Sequence, residues 1–142
     1  MEKYKEIALY GFFGVLTTVV NWITYIICNS MLGIEMTISN AIAWVLAVLF
    51  AFFTNKFLVF RSMDMSIYKF IREGALFFAS RITTGIVEIF LPTLLYRIGF
   101  QYELLNIEGS GAKVLVSIIV VILNYFLSKK IIFIKKQEDV ST

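Results

Sequence analysis

The sequence contains no histidine, one cysteine and one proline, and few of its residues are charged. The lack of histidine excludes histidine-based acid–base catalysis and most transition-metal sites. A lone cysteine, Cys28, cannot form an internal disulfide or a zinc cluster. We therefore expect no bound metal and no cofactor.

The sequence is rich in apolar residues: 59% of the 142 residues are hydrophobic and 16% are charged. A soluble domain of this size is about half apolar and about a quarter charged, so the imbalance predicts an all-α integral membrane protein. Four runs are each long enough to cross a hydrocarbon core of about 30 Å as a helix. The predicted spans of this single membrane domain are residues 7–28, 37–57, 70–96 and 111–133. Thr37 or Ser39 is expected to cap the second helix.

The basic residues lie mostly on one side of the predicted membrane. Lys3, Lys5, Lys56, Arg61, Lys69, Arg72, Lys129, Lys130, Lys135 and Lys136 flank one side, Arg97 and Lys113 flank the other, and Arg81 lies within a span. The positive-inside rule then places both termini in the cytoplasm. The net charge of +3 is accordingly interpreted as an orientation signal, and no nucleic acid partner is expected.

The ends of the second and fourth spans resemble each other. Residues 53–60 (FTNKFLVF) match residues 126–133 (FLSKKIIF) at an offset of 73, and an offset of 67 places Asn21 opposite Glu88. These matches predict two helix hairpins in a parallel repeat, with a pseudo-two-fold axis along the membrane normal.

The third span carries two charges, Arg81 and Glu88, far from its ends. They are seven residues apart and share a helix face, with Thr84 and Gly85 between them. A charge at that depth costs roughly 3 kcal/mol on insertion scales, so it persists where it faces protein, water or a ligand. The two residues either bind a substrate or satisfy each other or a neighbouring chain.

Other spans supply further polar candidates. The fourth span has a stripe formed by Lys113, Ser117, Asn124 and Ser128. Asn21 in the first span either packs helices or contacts a ligand. Lys56 and Lys129 occupy matching repeat positions, where they either receive a lipid headgroup or mark orientation and snorkel to the surface. The candidate substrate-binding residues are Arg81, Glu88, Asn21, Asn124, Ser117, Lys56 and Lys129.

The order and spacing of several motifs resemble the GtrA-like family of small four-span bacterial membrane proteins. Residues 55–62 (NKFLVFRS) close the second span and residues 124–133 (NYFLSKKIIF) close the fourth. The GFFG motif at residues 11–14 also fits, and the resemblance extends from about Tyr4 to Phe133. One departure is Ala51, where the family pattern has an asparagine that would mirror Asn124.

The resemblance implies a multi-pass protein of the bacterial cytoplasmic membrane that acts in cell-surface polysaccharide or teichoic acid glycosylation. The implied activity is translocation of a polyprenyl-phosphate-linked monosaccharide between leaflets, beside a separate membrane glycosyltransferase. Arg81 would hold the phosphate bidentately, and Glu88, Asn21, Asn124 and Ser117 would meet the sugar hydroxyls.

Two other functions fit parts of the sequence. A non-transporting adaptor that recruits or stabilises a glycosyltransferase would also need apolar spans. A small multidrug-type, proton-coupled exporter would use a membrane-embedded glutamate, but Arg81 would repel its cationic substrates. An enzyme is not expected, because the chain has no histidine, no paired aspartates and no extramembrane domain. Four helices form a thin barrier around a sugar-phosphate path, so we expect a homo-oligomer.

Overall fold

The computed structural model describes residues 2–103, 106 and 110–134, and this part of the chain contains four α-helices and no β-strand. The helices are α1 (Glu2–Ile26), α2 (Met36–Thr54), α3 (Ile67–Arg97) and α4 (Ser110–Leu127). All four lie in segments long and apolar enough to cross a membrane. The prediction of an all-α protein with four spans is confirmed. The cytoplasmic placement of the termini stays a prediction.

Three of the helices end in a π-helical turn. These turns are Ile27–Met31 after α1, Asn55–Val59 after α2 and Ser128–Ile132 after α4. In the first two, the following N–H donates to the carbonyl five residues earlier, with N–O distances of 3.0 and 2.9 Å. The turns after α2 and α4 begin 73 residues apart, the offset of the sequence repeat. The repeat of two hairpins itself stays a prediction.

Glu35 caps the N-terminus of α2. Its carboxylate accepts from the backbone N–H groups of Thr37 at 3.1 Å and Ile38 at 3.4 Å. The expected cap at Thr37 or Ser39 is wrong, because both residues lie inside the first turn, where the Ser39 hydroxyl donates to the carbonyl of Ile34. Hydrogen bonds from Thr37 lower the pKa of Glu35, with the larger effect from its backbone N–H and the smaller from its side chain.

The chain divides into two compact units, residues 1–70 with 133–142, and residues 71–132. In the first unit, α1 packs against α2. Ala43, Ala47 and Ala51 recur at every fourth position of α2 and are buried, as expected of a face that lets two backbones approach closely.

An aromatic cluster closes the first unit at the end of α2. The ring of Phe133 lies 5.9 Å from that of Phe52 and 5.6 Å from that of Phe60. All three rings are buried. Since offset-stacked and tilted aromatic pairs add stability beyond the area they bury, this cluster ties the residue after the last π-helical turn to α2.

The second unit consists of most of α3 and of α4 with its π-helical turn. Helix α3 continues through Pro92 to Arg97. On α4, Ala112, Val116 and Val120 are buried at every fourth position, which defines its packed face. The start of α4 is held by the N–H of Gly111, which donates to the carbonyl of Tyr102 at 3.0 Å.

Replacement of Gly111 by alanine is expected to destabilise the second unit. An added Cβ would lie 2.5 Å from the carbonyl oxygen of Tyr102, so the backbone must shift. A Cβ at Gly85, inside α3, meets open space, and alanine favours a helix there by about 1 kcal/mol. Thermal unfolding of the detergent-purified protein should therefore give a lower melting temperature for Gly111→Ala and no decrease for Gly85→Ala. A melting temperature of Gly111→Ala equal to that of the wild-type protein would contradict the close contact at Tyr102.

Candidate functional site

One face of α3 carries charged and polar residues through much of its length. Glu73, Phe77, Arg81, Thr84 and Glu88 follow one another at intervals of three or four residues and so share a face. Glu73 and Phe77 are completely buried and Thr84 is 5% exposed. Arg81 is half-buried and Glu88 is exposed. Polar groups therefore extend from the packed interior to an exposed carboxylate.

The guanidinium of Arg81 packs on an aromatic ring. Its central carbon lies 4.7 Å from the ring centroid of Phe77, one turn earlier in α3. The negative face of an aromatic ring attracts a cation, and this attraction grows where water is excluded. Because Phe77 is completely buried, it also holds the guanidinium in a defined position.

Two hydrogen bonds join α3 to α4. The Thr84 hydroxyl donates to Oδ1 of Asn124 at 3.1 Å, and the Ser117 hydroxyl donates to Oε1 of Glu88 at 2.9 Å. The same Thr84 oxygen lies 2.9 Å from the carbonyl of Ser80 and 3.4 Å from that of Arg81, so its one proton is shared among three acceptors. We call Thr84, Glu88, Ser117 and Asn124 the polar seam.

The polar seam satisfies groups that would be costly in lipid. Asn124 is 6% exposed, and a buried amide without a partner destabilises a fold. Glu88 differs, because it accepts from Ser117 while its side chain stays exposed on an apolar helix. A carboxylate in that setting is available to accept from hydroxyl groups. With the Arg81 cation on the same face of α3, the site can hold an anion beside a hydroxyl-rich group.

The two candidate lysines differ in their surroundings. Lys129 is half-buried, and its Nζ donates to the hydroxyl of Tyr125 at 3.2 Å. Lys56 is completely buried, and its Nζ donates to the carbonyl of Asp64 at 3.2 Å and to the Ser62 hydroxyl at 3.5 Å. The interpretation of Lys56 as a snorkelling surface residue is therefore wrong. The reason is a turn at Arg61, with φ of 50°, which brings the following loop over the ammonium.

The predicted binding residues thus separate into groups. Glu88, Ser117 and Asn124 lie in the polar seam, and Arg81 lies on the same face of α3. Lys129 follows Asn124 by five residues, in the π-helical turn after α4. Asn21 and Lys56 belong to the first unit, where Asn21 is half-buried on α1.

Sequence reasoning missed two buried polar residues, Glu73 and Asn55. Each stands beside a basic residue near a predicted membrane surface, and neither was a candidate in the sequence analysis. For Glu73 a signal existed, because it precedes Arg81 by eight residues and so shares its helix face. For Asn55 the spacing carried no such signal.

Comparison with known proteins gives a consistent set of matches. The family described as "GtrA/DPMS, transmembrane domain" matches residues 9–133. The cell wall teichoic acid glycosylation protein GtcA of Listeria monocytogenes serovar 1/2a is 38% identical over 93% of this chain and 87% of its own. GtcA of Listeria innocua serovar 6a is 41% identical over the same shares. The uncharacterized membrane protein YwcD of Bacillus subtilis is 30% identical over 92% of this chain and 98% of its own. No solved structure matches significantly.

The hydrogen bond between Thr84 and Asn124 is expected to contribute measurably to stability. Thr84→Val should lower the free energy of unfolding by about 0.6 kcal/mol, the average for side-chain hydrogen bonds between membrane helices, and by at most about 1.7 kcal/mol. Unfolding in SDS mixed micelles measures this quantity. Thr83→Val is the matched control, because its exposed hydroxyl donates only to the carbonyl of Ala79 in the same helix. A double-mutant cycle of Thr84→Val with Asn124→Ala that gives no coupling would contradict the bond.

Proposed function

This chain belongs to the GtrA/DPMS transmembrane domain family, and we propose that it moves a polyprenyl-phosphate-linked monosaccharide across the bacterial cytoplasmic membrane. It is a multi-pass membrane protein with a role in glycosylation. The proposal extends that role to leaflet exchange of the lipid-linked sugar, for modification of a cell-surface polymer such as teichoic acid. A separate membrane glycosyltransferase would supply the lipid-linked sugar.

One observation carries this proposal: a cation and an exposed carboxylate on one face of α3, next to hydrogen-bonding groups of α4. Lipid-linked sugars present a phosphate and several hydroxyls, which cannot cross hydrocarbon without polar partners. Their polyprenyl tail is compatible with lipid throughout. The protein therefore needs a path for the headgroup alone.

In this proposal, Arg81 binds the phosphate of the lipid-linked sugar. It lies eleven residues beyond Phe70, or roughly 16 Å along the helix, which corresponds to the middle of a hydrocarbon core of about 30 Å. A guanidinium stays charged at any physiological pH and matches the geometry of phosphate oxygens. Its position on the buried ring of Phe77 orients it before the lipid arrives.

The polar seam forms hydrogen bonds with the sugar hydroxyls in this proposal. Glu88 lies seven residues beyond Arg81, about 10 Å along the helix, so it can accept from hydroxyls while Arg81 holds the phosphate. Ser117 and Asn124 are the uncharged partners on α4. Lys129, near Tyr125, is the proposed first contact for the phosphate. Lys56 has no part in the path, because its ammonium is enclosed. Asn21 lies in the first unit, on α1, and is not assigned to this path.

The direct test reconstitutes the protein in liposomes with a polyprenyl-phosphate hexose and measures leaflet exchange. Wild-type protein should accelerate exchange over empty liposomes. Arg81→Ala should slow it by about tenfold or more, since hydrogen bonds to charged groups contribute about 1.5–3 kcal/mol. Glu88→Gln should slow it less, because the amide still accepts one bond from Ser117.

Arg97→Ala is the control for a general loss of positive charge on α3, because Arg97 is exposed at the end of that helix. It should leave the exchange rate unchanged. Exchange by folded wild-type protein that is no faster than in empty liposomes would contradict the proposal and favour an adaptor that recruits the glycosyltransferase. We also propose a homo-oligomer, and a monomeric mass in native-like detergent would contradict it.

A further inference from the structure

Asn55 has a buried atom that the fold itself does not satisfy. The residue is 4% exposed, and its Nδ2 donates to the carbonyl of Ala51 at 2.7 Å. Its Oδ1 is buried and has no hydrogen-bond partner among the residues that the structure describes. A buried acceptor without a donor disfavours the folded state, so the atom needs an explanation.

The hydrogen-bond partner of Asn55 determines which end of its side-chain amide is the oxygen. The two ends of an asparagine side chain are hard to distinguish by shape alone. Here a backbone carbonyl lies at hydrogen-bond distance from one end, and a carbonyl can only accept. The NH₂ group must therefore face Ala51, and the amide oxygen must point away from it. A bound group at Oδ1 would have to be a donor.

The surroundings of Asn55 favour a ligand over a purely structural role. Asn55 begins the π-helical turn Asn55–Val59, and such turns occur frequently at functional sites. The backbone closes this turn without the side chain, since the N–H of Phe60 donates to the carbonyl of Asn55. The neighbouring Thr54 is different, because its hydroxyl already donates to the carbonyls of Phe50 and Ala51.

The next residue brings a positive charge to the same turn. Lys56 is buried, with its Nζ 5.6 Å from the ring centroid of Phe57 and 5.9 Å from that of Phe70. This ammonium already donates to the carbonyl of Asp64 and the hydroxyl of Ser62, so no ligand contact is assigned to it. At the offset of 73, the corresponding residue is Ser128, so the amide is confined to the first hairpin.

We propose that Oδ1 of Asn55 accepts a hydrogen bond from a hydroxyl of the lipid-linked monosaccharide. The identity of the ligand rests on the function proposed above. Phosphate oxygens without a proton cannot donate to an amide oxygen, whereas every free hydroxyl of the sugar can. Asn55 therefore distinguishes a polyprenyl phosphate that carries a sugar from one that does not.

The test compares thermal stabilisation of the purified protein by a polyprenyl-phosphate hexose and by sugar-free polyprenyl phosphate. Wild-type protein should be stabilised more by the hexose lipid. Asn55→Leu should reduce that difference, with hexose-lipid binding weaker by about three- to tenfold, the contribution of one neutral hydrogen bond. The polar seam accounts for the preference that remains. Asn55→Ser, which introduces the residue found at position 128, gives a second variant for the case in which the leucine does not fold. Thr54→Val is the matched control and should keep the difference.

Two results would overturn the inference. One is equal stabilisation of the wild-type protein by both lipids. The other is a lower stability of Asn55→Leu without lipid, combined with an unchanged preference for the hexose lipid. That result would mean that Oδ1 of Asn55 accepts from an internal water. Leaflet exchange by the same variants in liposomes distinguishes this inference from the proposal of translocation. A preference for the hexose lipid that depends on Asn55, without exchange, would support this site and contradict translocation.

Discussion

Hydrogen bonding between polar side chains on apolar helices is the constraint on which the second unit depends. Hydrocarbon offers no donors or acceptors, so a polar side chain on a membrane helix must meet another polar group. Thr84 meets Asn124, and Ser117 meets Glu88. Both bonds form together only when α4 presents one face to α3. The contacts that set the rotation of the two helices therefore also gather the groups of the candidate path.

The spans and the polar faces were predictable, because apolar length and helical period depend on the order of residues alone. The partners of each polar residue were not, because a stripe on α4 does not specify which face of α3 it meets. Thr84 was placed on the charged face of α3, but its bond to Asn124 depends on packing. The burial of Lys56 depends on a positive φ at Arg61, a conformation that non-glycine residues adopt infrequently. No periodic pattern predicts such a turn.

The ends of α2 and α4 are alike in backbone and different in chemistry. Both helices pass into a π-helical turn, at positions 73 residues apart. In the first, the Oδ1 of buried Asn55 has no hydrogen-bond partner within the described part of the chain, and Lys56 is enclosed. In the second, Ser128 is buried and Lys129 packs on Tyr125. At the offset of 67, the predicted repeat would place the uncharged Gly14 and Asn21 opposite Arg81 and Glu88.

The central claim is that the headgroup of a lipid-linked sugar passes along the polar seam and Arg81. Photo-crosslinking in liposomes tests it most directly, with a polyprenyl-phosphate hexose that carries a diazirine on the sugar and with crosslinked peptides mapped by mass spectrometry. We expect crosslinks to residues 81–88 of α3 and 117–124 of α4. Crosslinks confined to the helix ends and connecting loops, with none inside these two segments, would contradict it.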